Sequence, residues 1–148
     1  MAAIGELSVL QNKMVGYSGT PLWKKLGYRA GLVALIESAP SAYVDSLALP
    51  ADVVPRWASR LSQDIGLVHL FVKKFSTLER RLKTLRKGIA PECVVWVSWP
   101  KKTSGVATDV TEDRVRDAAL PLGFVDVKVC AVDEIWSGLK LVIRKELR

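Results

Sequence analysis

Short unbroken apolar runs carry the hydrophobic pattern of this chain. Leu32-Val33-Ala34-Leu35-Ile36, Leu67-Val68-His69-Leu70-Phe71-Val72 and Val94-Val95-Trp96-Val97-Ser98-Trp99 are each bounded, within two residues, by glycine, proline or charge. Runs of this length without alternation read as strands covered on both faces, as in parallel sheets. Val53 to Trp57 reads as a further strand, and Pro55, which cannot donate to a ladder, assigns it to the sheet edge. Phe124 to Val132 and Leu139 to Ile143 read as the last two strands. The connection Asp133-Glu134-Ile135-Trp136-Ser137-Gly138 is too short for a parallel crossover, so this pair is expected to be an antiparallel hairpin.

Helical spacing separates the strands. Leu78, Leu82, Leu85 and Ile89 recur at i, i+4, i+7 and i+11, one narrow face of a helix. Ser76-Thr77-Leu78-Glu79 reads as a capping box with Ser76 as N-cap, and Gly88 and Pro91 end the helix. Thr111 is expected to cap a second helix with Val115, Ala118, Ala119 and Leu122 inward; Pro121 should distort its last turn. Two shorter helices are expected, one from Pro21 to Leu26 with Thr20 as N-cap, the other within Pro40 to Leu47. Residues 58–65 carry no firm pattern. Residues 1–15 read as a loose tail ahead of one domain over 16–148, with Met14 as an alternative start.

Alternation of strands and helices implies an α/β fold, an open and mostly parallel Rossmann-like sheet with helices on both faces. Six strands in the order 2-1-3-4-6-5 close with the antiparallel hairpin. A chain of 148 residues needs no staple to fold. Its two cysteines, Cys93 and Cys130, stand far apart in β-forming runs and read as free thiols. With one histidine, no metal-ligand cluster is expected. No apolar run approaches the roughly 18 residues that span a bilayer, and the N-terminus has no secretory pattern, so no membrane association is expected and the cytoplasm is the expected compartment.

Charge adds one feature. The net charge is +7, and seven basic residues with one acid lie between Lys73 and Lys87. Arg80, Lys83 and Lys87 project from the helix face opposite the leucines. Such a face can attract phosphate backbones, although no aromatic residues interleave it.

Two resemblances follow from these elements. Leu67 to Arg144 resembles the second half of a class I S-adenosylmethionine-dependent methyltransferase, with its terminal hairpin. Gly16-Tyr17-Ser18-Gly19-Thr20-Pro21, Leu67-Val68-His69-Leu70-Phe71-Val72, Trp96-Val97-Ser98-Trp99-Pro100-Lys101-Lys102 and Trp136-Ser137-Gly138-Leu139-Lys140-Leu141, together with Val129 to Glu134, are similar to a family of small bacterial proteins catalogued as a domain of unknown function. The methyltransferase resemblance implies a glycine-rich turn after the first strand and an acid after the second to hold a ribose. The first turn here is Glu37-Ser38-Ala39-Pro40-Ser41-Ala42-Tyr43, without glycine, and no acid stands beside Arg56-Trp57.

Ligands of open α/β sheets gather beyond the carboxyl ends of the strands. Lys101, Lys102, Thr103 and Ser104, with Gly105, are therefore the first candidates for an anion site. Ser18 and Thr20 offer a second at a helix start. Asp133 and Trp136, in the hairpin connection with Glu134, could pair with Lys101 or Lys102 or touch a ligand. His69, in mid-strand, reads as a satisfied core histidine. Trp96 and Trp99, three apart in a strand, should face opposite ways. No catalytic residue and no cofactor is expected on this reading, and the leading function is a non-catalytic module binding a small anion or a protein on a degenerate methyltransferase-like scaffold. The alternative is an enzyme binding a nucleotide-like cofactor such as S-adenosylmethionine. A second alternative is nucleic-acid association through Arg80, Lys83 and Lys87.

Overall fold

The computed structural model describes residues 19–148. Six strands, β1 (Val33–Glu37), β2 (Arg56–Trp57), β3 (Leu67–Phe71), β4 (Val94–Pro100), β5 (Phe124–Ala131) and β6 (Trp136–Ile143), form one sheet in the order β2-β1-β3-β4-β6-β5. β2, β1, β3 and β4 pair in parallel; β6 runs antiparallel to both β4 and β5. This is the fold class and strand order that the hydrophobic runs predict. The two-residue β2 follows Pro55 at the sheet edge, where a missing donor costs least.

The helices are α1 (Leu22–Leu26), α2 (Tyr43–Ser46), α3 (Phe75–Gly88) and α4 (Glu112–Ala119). One core layer joins α3 and α4 to the sheet through Leu78, Leu82, Leu85, Val115, Val68, Leu70, Val95 and Val97. The other joins Leu26, Tyr28, Tyr43 and Leu47 to Ala34, Leu67, Phe71, Trp96 and Trp136. Each fully buried leucine contributes about 1.5–3 kcal/mol relative to exposure. Trp96 and Trp99 fall in different layers, as strand periodicity requires.

Helix punctuation departs from expectation twice. The N-cap of α1 is Pro21, in an extended conformation, so Thr20 lies outside the helix it was expected to cap. In α3 the N-cap is Lys74, and neither Ser76 nor Glu79 closes a capping box. The first N–H, of Phe75, instead donates to Asp109 Oδ1 at 2.7 Å, and Asp109 is held there by its own N–H on the Lys73 carbonyl. A carboxylate brought from a distant loop serves as well as a local hydroxyl, and it adds a negative charge at the positive end of the helix.

α4 behaves as its sequence predicts. Thr111 Oγ1 accepts from Arg114 N–H at 3.2 Å, and Pro121 turns the end of the helix into a 3₁₀ turn, Leu120–Leu122, closed by Gly123 at φ 98°. Arg116 binds Glu112, Asp113 and Asp126, tying α4 to β5. β6 starts at Trp136, earlier than the expected Leu139, because Trp136 already pairs with Pro100 of β4. No helix among the described residues is long and apolar enough to cross a membrane.

Candidate functional site at the carboxyl rim of the sheet

β1, β3 and β4 are co-directional, with Glu37 beside Leu70 and Leu70 beside Val97. The turns leaving these strands therefore share one rim, which brings Ser38, Lys73, Lys74 and Thr103 to the same end of the molecule. The turn after β1 bends at Ser38, whose φ of 59° is left-handed. Non-glycine residues seldom adopt that conformation, which glycine takes freely. The side chain of Glu37, just before it, faces α3 and accepts two hydrogen bonds from Arg81, at 2.9 and 2.6 Å. That bidentate pair holds the Arg81 guanidinium above its usual pKa through the hydrogen bonds, burial opposing. Arg81 thus leaves the basic helix face and locks the end of β1 to α3.

Beneath the turn lies a buried polar chain. The Tyr28 and Tyr43 hydroxyls are 2.8 Å apart, Tyr43 Oη is 2.7 Å from His69 Nδ1, and His69 Nε2 is 2.7 Å from Ser98 Oγ. His69 and Ser98 are fully buried. Burial pushes the His69 imidazole down to about 3 and Tyr28 up to about 12, and lifts Tyr43 well above the phenol range. His69 is the satisfied core histidine expected, neutral and engaged at both nitrogens. Its partners were not legible individually; the signal was a polar residue interrupting each of two otherwise apolar runs.

The second rim element is the loop after β4. Lys102–Ser104 form a 3₁₀ turn. Lys101 Nζ donates to the carbonyl of Asp133 at 2.7 Å, and Ser104 Oγ donates to the Lys101 carbonyl at 2.7 Å. Lys102 and Thr103 are exposed. The Asp133 carboxylate does not pair with a lysine: its Oδ1 accepts from the N–H groups of Ile135 and Trp136, at 2.8 and 2.7 Å, shaping the hairpin turn. Trp136 is buried against Phe71, ring centroids 5.1 Å apart, so it belongs to the core and not to an exposed turn. Ser18 lies outside the described residues, as do the expected tail and Met14.

At the end of β2, Trp57, Ala58, Ser59 and Arg60 supply no acid, as the sequence indicates. Arg80, Lys83 and Lys87 are exposed on the outer face of α3. Lys83 and Lys87, with Leu61, Thr84 and Gly88, line a groove of about 360 Å³. It lies by the C-terminal end of α3, away from the rim, where Gln63 Nε2 donates to the Gly88 carbonyl at 2.9 Å. No group of histidine, cysteine, aspartate or glutamate among the described residues could hold a metal. Cys93 is buried, its thiol pushed up to about 12, and both cysteines are free.

Against known proteins, no family model matches the chain and no curated protein matches it. Solved structures do share its fold. Magnesium protoporphyrin IX methyltransferase from Synechocystis PCC 6803, with bound S-adenosylhomocysteine, superposes with a TM-score of 0.56 at 12% identity, covering 83% of this chain and 78% of that one. A SAM-dependent methyltransferase from Aquifex aeolicus gives 0.55 at 12% identity, over 82% of this chain and 87% of that one. Precorrin-6y C5,15-methyltransferase from Geobacter metallireducens gives 0.56 at 10% identity, over 83% and 85%.

The fold is thus the methyltransferase form of the Rossmann-like sheet, which extends the resemblance beyond the second half of the chain. Two expectations are corrected by these neighbours. A module without catalysis and without a cofactor is not what these solved examples of the fold are; they are methyltransferases, and the Synechocystis enzyme holds S-adenosylhomocysteine. Missing glycines do not exclude a cofactor turn, because a backbone can keep its path after the residues that usually mark it are gone.

Proposed function

We propose that this chain is an S-adenosylmethionine-binding enzyme that transfers a methyl group at the carboxyl rim. The observation that carries the reading is Ser38. At φ 59° it holds, in the turn leaving β1, the left-handed backbone for which a glycine-rich turn is normally needed. The residues that follow are small or rigid, Ala39, Pro40, Ser41 and Ala42, so the backbone stays open to close approach. The turn therefore fits the methionine end of the cofactor. The ribose end has no acid at the tip of β2, and a serine hydroxyl or backbone group must take its place there.

The chain's own part in the reaction is positioning. Arg81 on Glu37 fixes the end of β1, and Tyr43, anchored on His69, fixes the start of α2, so the turn between them is held at both ends. The chemistry available from S-adenosylmethionine is methyl transfer: the acceptor's lone pair forms the new bond to carbon, the broken carbon–sulfur pair stays on sulfur, and the acceptor's proton passes to solvent. His69 is not its base, since both ring nitrogens are engaged out of contact with solvent.

Isothermal titration with S-adenosylmethionine and S-adenosylhomocysteine tests the reading. Saturable binding of both, lost in Ser38→Val, is expected. Absence of heat with either compound in folded protein overturns it.

A further inference from the structure

We infer that a second copy of this chain docks on the groove beside α3, and that the outer edge of its α4 is what the groove receives. The inference does not depend on the methyl-transfer reading. Residues 58–66 cross from β2 to β3 without a helix, and Leu61 of that link packs on Gly88, where a Cβ would stand 2.3 Å from Leu61 Cδ2. The groove of about 360 Å³ lies between this link and the flank of α3. It is lined by Leu61, Thr84 and Gly88, and by Lys83 and Lys87, one helical turn apart. Both lysines are exposed, and like charges at i and i+4 destabilise a helix taken alone.

α4 carries the complement. Asp113 and Asp117 are like charges at i and i+4 in their turn, with Leu120 at i+7, so the three share one outward edge of the helix and of the turn that ends it. The Asp113 side chain is 91% exposed, Asp117 is exposed, and Leu120 is 40% exposed although apolar. Within one chain these acids and bases do not meet. The ion pairs among the described residues take their cations from arginine, and Asp113 is held only by Arg116 of its own helix. Laid parallel on α3 of a second copy, α4 sets Asp113 against Lys83 and Asp117 against Lys87, since each like pair spans about 6 Å of helix. Leu120 then reaches the end of the groove at Leu61 and Gly88, an apolar anchor in a pocket rimmed by charge. The net charge of +7 opposes association in general, so a local match of this kind is what holds two copies together. α3 and α4 lie in one layer, and a two-fold axis that seats α3 of each copy on α4 of the other makes the contact twice and closes a dimer.

Sedimentation equilibrium of the full-length protein, from about 1 µM to about 1 mM, tests the inference. The wild-type mass should rise toward that of two chains. Two charge-reversal variants follow, Lys83→Glu/Lys87→Glu and Asp113→Lys/Asp117→Lys, with circular dichroism to check their folding. Each alone should associate about tenfold or more weakly, because like charges then face each other at the contact. Mixed in equal amounts they should recover a dimer, since the acidic α3 of one now meets the basic α4 of the other. Leu120→Ser, which leaves every charge in place, should also weaken association by about tenfold. A wild type that stays monomeric throughout overturns the inference, and the groove then belongs to an acidic partner other than this chain. Association of either charge variant at wild-type strength overturns it too, as does a mixture that stays monomeric while wild type dimerises.

Discussion

The hydroxyl of Tyr43 sits 2.7 Å from Nδ1 of His69, joining the first residue of α2 to the middle of β3. Tyr43 also bonds Tyr28, so one phenol satisfies two buried polar groups. Tyr43→Phe keeps the ring and its edge contacts with His69 and Phe71 while orphaning both partners. It should cost about 1–3 kcal/mol in urea unfolding. An unchanged midpoint would show that the chain of hydroxyls contributes nothing.

The same histidine makes stability depend on pH. Its pKa falls from 6.5 to about 3 on folding, through burial. The contribution is full above 6.5 and is lost as pH drops toward 3, because the unfolded chain takes up a proton that the folded one refuses. Between pH 6.5 and 5 the loss should approach about 2 kcal/mol, at about 1.36 kcal/mol per unit. His69→Gln should flatten that slope in denaturation series at pH 5 and 7. Parallel slopes for the two proteins would refute the assignment.

The cap of α3 distinguishes tertiary from local chemistry. Asp109→Ala should destabilise the protein by about 0.5–2 kcal/mol, and Ser76→Ala should leave its melting temperature nearly unchanged. The opposite ranking would restore the capping box that the sequence suggests.

Ser38 is strained, since a left-handed backbone costs a residue with a Cβ about 1–2 kcal/mol. Ser38→Gly should recover part of this, about 0.5–1 kcal/mol after the entropy that glycine regains in the unfolded chain. Ser38→Val should destabilise, being β-branched. Thermal melts of the three proteins give the order Gly, Ser, Val; any other order would mean that the turn relaxes.

Most of the sheet is readable without coordinates. Leu32 to Ile36 and Leu67 to Val72 announce strands buried on both faces, and the short span from Asp133 to Gly138 forces an antiparallel pair. The leucines of α3 likewise define its buried face. The candidate site is less readable. Lys101 to Ser104 do lie beyond a strand end, yet Ser104 is occupied by a bond within its own loop and Lys101 by the Asp133 carbonyl, which depends on where the hairpin turn lies. Glu37 and Arg81 are 44 residues apart, and nothing local links them.

The sequence by itself determined the strands, the helices and their order, because burial period and turn chemistry act over a few neighbouring residues. Only the tertiary structure decided that Asp109 caps α3, that Tyr43 and Ser98 complete His69, and that Ser38 bends left-handed beside an anchored Glu37. Those pairings depend on directions in space, which the linear pattern of apolar and polar residues does not carry.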